Sequence, residues 1–185
     1  MKAGVRALGV AESYREHTST LAGAVVRADR VADGFALTTC TVGGTDATRA
    51  VASLFDRLDR QDVRYLLVAG IAPAWFNILD LHALGSAVDR PIVSVTFEPS
   101  DGLADPIRDA FGDEAAQRRL ATYRAQPDRH AVSVNGETVF VRSVGLDDDE
   151  TAEVVRAFTP EGGRPEPLRV ARLVARAVDG FRADG

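Results

Sequence analysis

Three carboxylates in this chain stand where acid chemistry on a phosphate would need them. Glu12 lies in the stretch GVAES, just past an apolar run from Val5 to Val10 that reads as a buried strand. Asp46 lies in VGGTDAT, at the start of an amphipathic segment. Asp80 lies in AGIAPAWFNILDL, three residues after Asn77, so the two share a face if that segment is helical. Acids in such places suit magnesium or manganese, because hard cations take oxygen ligands. Two such cations about 4 Å apart stabilise both the attacking and the leaving oxygen of a phosphodiester. Each acid has a plainer role as well. Glu12 reads equally as a solvated turn glutamate, and Asp46 equally as a helix cap.

Trp75 and Phe76 follow the same pattern of two readings. They could stack on a displaced base, or they could be core residues with Asn77 capping the helix that follows. In the tail TPEGGRPEPLRVARLVAR, Arg169, Arg172 and Arg176 recur at helical spacing on one stripe. Such a stripe binds phosphates or simply faces solvent. The Gly43-Gly44 pair could bring backbone amides to a phosphate, although it matches neither a P-loop nor G-x-G-x-x-G. It leaves open a small-molecule phosphate or nucleotide enzyme. His17, His82 and His130 have no metal-ligand spacing.

The elements that must position these residues follow from periodicity. Strands are predicted at Val5 to Val10, Thr20 to Ala28 and Phe35 to Val42, with a turn near Asp29 to Gly34. Their short links suggest an antiparallel meander. Val51, Leu54, Phe55 and Leu58 then mark an amphipathic helix over Thr45 to Arg60. A strand at Arg64 to Val68, a helix at Asn77 to Val88 and a strand at Ile92 to Phe97 suggest a parallel pair around a crossover. Helices at Leu103 to Phe111 and Ala115 to Ala125 come next, then a hairpin about Asn135-Gly136. Helices at Asp148 to Phe158 and Pro167 to Phe181 close the chain. Three antiparallel strands, then helix, strand, helix and strand, form an α/β arrangement of the ribonuclease H-like type.

Composition sets the bounds. A length of 185 residues fits one domain, 1–185. No apolar run reaches the roughly 18 residues that cross a bilayer. A lone cysteine, Cys40, forms no internal disulfide, which fits a reducing cytoplasm. Lys2 is the single lysine among 22 basic residues, and 27 acids outnumber them. Acidic excess with almost no lysine suits high salt or a GC-rich genome. A net charge of -5 does not favour nucleic acid overall, so any DNA contact must rest on a local arginine cluster.

GVRALGVAES, TVGGTDAT, AGIAPAWFNILDL and RPEPLRVARLVAR together resemble the archaeal endonuclease dU family, which is similar to endonuclease V. The resemblance covers nearly the whole chain and leans toward the family's halophilic members. It implies metal-dependent cleavage of a DNA strand near a deaminated base such as deoxyuridine. Asp46, Asn77, Asp80, Glu166 and Arg169 match the family pattern. Other positions depart from it. Family members commonly read G-I-D-D where this chain has Gly9, Val10, Ala11 and Glu12. Ala69-Gly70 replaces an Asp-Gly pair of endonuclease V, and Arg172 replaces a histidine. The resemblance therefore implies Glu12, Asp46 and Asp80 as catalytic and metal-holding residues. Trp75, Phe76, Asn77, Arg169 and Arg172 would bind the strand. Because successive side chains on a strand alternate faces, a regular strand through Ala11 would turn Glu12 away from the face that Ala11 occupies. A second expectation follows: a ribonuclease H-like protein that binds nucleic acid without cleaving it.

Overall fold

The chain was analysed as a computed structural model, which describes residues 1–183. Strands β1 (Arg6–Arg15), β2 (Thr18–Arg27) and β3 (Ala32–Thr41) form the expected antiparallel meander. All three are longer than the apolar runs that announce them. β1 passes through Ala11 and Glu12 without a break in its pairing to β2, so Glu12 lies inside a strand rather than at its end. The Asp33-Gly34 pair falls within β3, beside a bulge opposite Val25 and Val26, and not in a turn.

Helix α1 (Ala47–Leu58) buries Ala47, Val51, Leu54 and Phe55, the stripe that its 3.6-residue period prescribes. It ends at Asp59, which takes a left-handed conformation. Strand β4 (Val63–Val68) then pairs parallel to β1, and β5 (Ile92–Thr96) pairs parallel to β4. Between them lie a single turn, α2 (Pro73–Phe76), and helix α3 (Leu81–Val88). The helix predicted from Asn77 therefore begins four residues later. Asp80 is its N-cap, accepting a hydrogen bond from the Ala83 amide at 3.0 Å.

Helices α4 (Ala104–Ala110) and α5 (Asp113–Arg124) precede the hairpin of β6 (His130–Val134) and β7 (Glu137–Val144). Helices α6 (Asp148–Ala157) and α7 (Glu166–Ala183) close the chain. The seven strands make one mixed sheet in the order β3-β2-β1-β4-β5-β7-β6. None of the helices among the described residues is long and apolar enough to cross a membrane.

The sheet separates two cores. Leu8 and Val10 of β1 face α1 and α3, whereas Ala7 and Ala11 face α6 and α7. α7 lies so close to β1 that a Cβ at Gly9 would sit 2.2 Å from the Pro167 backbone. Only glycine allows that approach. The strand order changes direction between β1 and β4, and in open α/β sheets the crevice at the carboxyl ends of such strands is the usual place for a ligand.

Candidate nucleic-acid site

The site begins with a lock between two loops. Asp46 accepts hydrogen bonds from the Thr41 amide at 3.0 Å, the Thr41 hydroxyl at 3.0 Å and the Asn77 amide nitrogen at 2.7 Å. Burial raises the pKa of its carboxyl, but these three donors outweigh burial and hold it below the usual range. Asn77 is fully buried. Its Nδ2 also donates to the Thr41 carbonyl at 2.8 Å, and its Oδ1 accepts from the Ala47 amide at 2.9 Å. Asn77 thus caps α1 from another loop, whereas Asp46, at the N-cap position itself, makes no side-chain cap.

The lock holds a strained turn. Ala74, Trp75 and Phe76 have φ of 48°, 55° and 58°, three consecutive non-glycine residues in the left-handed region. Each such residue costs on the order of 1–3 kcal/mol and persists only when its surroundings over-determine it. The surroundings are on hand. The Ala74 amide donates to Glu12 Oε2 at 2.8 Å, and the Gly43 amide donates to the Ala74 carbonyl at 2.6 Å. Arg119 donates to the carbonyls of Phe76, Gly43 and Gly44 while its guanidinium lies 3.8 Å over the Phe111 ring. The turn presents Trp75 at 48% exposure, its ring 5.0 Å from Phe111 and packed on Gly43. Trp75 is therefore not a core residue. The Gly43 and Gly44 amides already donate to the carbonyls of Ala74 and Thr41, at 2.6 and 3.0 Å, and so form no open phosphate cradle.

Beside this turn, at the carboxyl ends of β4 and β5, lies a cleft of about 930 Å³. Ala69, Gly70, Thr96 and Phe97 form its floor, and Arg129, Arg142, Arg164 and Arg172 line its walls. None of these four arginines forms an ion pair among the described residues. Arg164 stacks 3.8 Å over Phe97, and Arg129 stacks 4.2 Å over Phe140. Burial, with Arg142 beside Arg129 and with Arg172 and Arg176 beside Arg164, lowers the pKa of both guanidiniums, though not enough to discharge an arginine. Exposed Glu98 and Asp101 are the acids on the rim.

The expected site residues separate. Arg172 reaches the cleft, but Arg169 does not line it. Arg169 is held by Glu166 in a two-pronged ion pair at 2.8 and 2.6 Å, which keeps the Glu166 carboxyl below its usual range. Glu12 accepts from Ser19 Oγ at 2.6 Å as well as from Ala74, on the face opposite Ala11, as strand alternation requires. Asp46 is in the lock, and Asp80 caps α3. The three acids do not form one cluster, and no group of three or more His, Cys, Asp or Glu among the described residues could hold a metal ion. Arg119, Arg129 and Arg142 are the residues that periodicity missed. The available signal was Arg142, a lone cation in the apolar alternation of β7.

Comparison with known proteins agrees with the fold. The sequence model of the endonuclease dU family matches residues 3–179. A UPF0215 protein of Thermococcus kodakarensis is 34% identical over 169 residues, covering 90% of this chain and 85% of its own. A crystal structure of a protein from Archaeoglobus fulgidus superposes with a TM-score of 0.83 at 24% identity, covering 94% of this chain and 97% of that one. Endonuclease V of Ciona intestinalis, in complex with DNA containing an inosine, superposes with a TM-score of 0.60 at 14% identity, covering 95% and 86%. The open mixed sheet with flanking helices is the ribonuclease H-like fold of the endonuclease V structures.

Proposed function

This chain belongs to the endonuclease dU family, and from that premise we propose that it acts on DNA, recognising a strand that carries a deaminated base such as deoxyuridine. Membership supports nuclease activity on nucleic acids. The observation that carries the reading for this chain is the cleft with four arginines that lack acidic partners. A concave, positively charged surface at the carboxyl ends of parallel strands suits a phosphate backbone, which supplies most of the affinity of such complexes.

The residues divide the work. Arg129, Arg142, Arg164 and Arg172 bind phosphates through the in-plane N–H donors that their protein partners leave free. Trp75, held outward by its left-handed turn, stacks on a base displaced from the helix. Phe76 does not take part directly: its ring packs at 6.2 Å on Phe111 and supports Trp75 from behind. Asn77 positions the same turn from within.

Hydrolysis with magnesium or manganese is the activity that the family implies. A metal pair needs several carboxylates converging on one point. Here the acids are dispersed over three separate places and do not converge, so the donor set does not fit, and no metal-dependent step follows from these residues. That observation favours the second reading, a family member that recognises DNA without cutting it. Ala11 and Ala69, the residues just past the last β1–β4 pair Val10 and Val68, carry no carboxylate and point the same way.

One experiment tests both parts. Purified protein is mixed with a labelled duplex containing one deoxyuridine, and with the same duplex containing thymidine, at graded salt, with and without magnesium or manganese. Binding is followed by anisotropy and cleavage on a denaturing gel. Preference for the deoxyuridine duplex is expected. Absence of binding to either duplex at every salt would overturn the proposal.

A further inference from the structure

We infer that the cleft holds the phosphates of its strand without a divalent cation, the arginines supplying the positive charge that a metal would bring. The inference rests on the DNA-binding reading above and adds how the charge is met. β1 and β4 are adjacent and parallel, with Val10 opposite Val68, and the Ala69 amide donates to the Val10 carbonyl at 3.1 Å. The next side chains at this junction, Ala11 and Ala69, are methyl groups with no oxygen to offer a cation. Glu12, the nearest acid in sequence, lies on the opposite face of β1, where its Oε2 accepts from both Ser19 and Ala74.

Electrostatics reinforces the geometry. Four arginines face the cleft against two exposed rim acids, Glu98 and Asp101. A doubly charged ion entering there meets like charges in a partly desolvated space, whereas a phosphodiester meets opposite ones. The arginines are also placed in advance. Arg129 donates to Thr96 Oγ1 at 2.7 Å and to the Glu98 carbonyl at 2.6 Å, and Arg142 donates to the Pro127 carbonyl. The rings of Phe97, Phe140 and Tyr123 lie against the faces of Arg164, Arg129 and Arg142. Stacking occupies the face of a guanidinium and leaves in-plane N–H groups free to point at phosphate oxygens.

The test is DNA binding by the full chain, measured by anisotropy on a deoxyuridine duplex in EDTA and then with added magnesium or manganese at constant ionic strength. The expected result is full binding in EDTA and a modest weakening as the divalent ion competes for phosphates. Manganese alone, without DNA, should leave the melting temperature unchanged. An Arg142→Gln, Arg164→Gln variant should lose roughly tenfold or more in EDTA while melting like the parent. Binding that appears only with the metal, or a manganese-dependent rise in melting temperature, would overturn the inference and leave the DNA-binding reading intact. Failure to bind in every condition would overturn both.

Discussion

The carboxylate of Glu12 lies 2.8 Å from the amide nitrogen of Ala74, across 62 residues of sequence, and joins the central strand β1 to the left-handed turn that carries Trp75. An acid that looks like a metal ligand is thereby a support for backbone strain. Glu12→Ala leaves the Ala74 amide without its acceptor, at a cost of about 1–3 kcal/mol for a buried donor. Glu12→Gln keeps an acceptor oxygen and should lose less. Trp75 is the only tryptophan, so its fluorescence reports on this turn directly. Urea denaturation followed at the tryptophan should rank the variants parent, Gln, Ala.

Asn77 should be the least replaceable polar residue of the site. It is fully buried and joins Thr41, Asp46 and Ala47. Asn77→Ala strips partners from two acceptors and the first amide of α1, so a loss of about 2–4 kcal/mol is expected in chemical denaturation. Asn77→Asp sets a second carboxylate beside Asp46, and its instability should ease as pH falls and one of the pair takes a proton.

The Asp46 carboxyl sets part of the acid limb of stability. Its folded-state pKa is lowered despite burial, because Thr41 and Asn77 donate to the ionised form. A lowered pKa means that this stabilisation is complete above the unfolded-state value and is lost as pH falls through the folded-state value. Asp62 and Glu166, lowered by Arg60 and Arg169, act in the same direction. Asp46→Asn should therefore lower stability at neutral pH and flatten, without abolishing, the fall between about pH 5 and pH 2. Melting temperature against pH for parent and variant checks both features.

Gly9 tests the packing of α7 on β1. A Cβ there would overlap the Pro167 backbone at 2.2 Å, and backbone cannot rotate aside as a side chain can. Gly9→Ala should destabilise by about 3 kcal/mol or prevent folding. Gly4, exposed and with nothing within 4 Å of an added Cβ, is the control, and Gly4→Ala should stay within about 0.5 kcal/mol of the parent.

Much of the scaffold is legible in the sequence because it follows one-dimensional rules. The meander shows in apolar runs, α1 in Val51, Leu54 and Phe55, and the parallel pair β4 and β5 in the helix between them. The site is less legible for physical reasons. Ala74, Trp75 and Phe76 have no intrinsic preference for positive φ; tertiary bonds from Glu12, Gly43 and Arg119 impose it. The bonds of Asn77 to Thr41, Asp46 and Ala47 explain the late start of α3, since they draw Asn77 into the lock and leave Asp80 as the cap. The cleft arginines come from segments spread over residues 129 to 172, and only the sheet order brings them together. Arg169, by contrast, lies on a visible stripe, yet Glu166 three residues earlier takes its charge.

The most direct measurement compares Arg142→Gln with Arg169→Gln in binding to a deoxyuridine duplex across a salt series. Both changes remove one positive charge, but only Arg142 faces the cleft. Arg142→Gln is predicted to weaken binding to any duplex and to reduce the salt slope by about one. Arg169→Gln should leave both nearly unchanged. Equal losses from the two variants, or a larger loss from Arg169→Gln, would contradict the cleft as the DNA-binding surface.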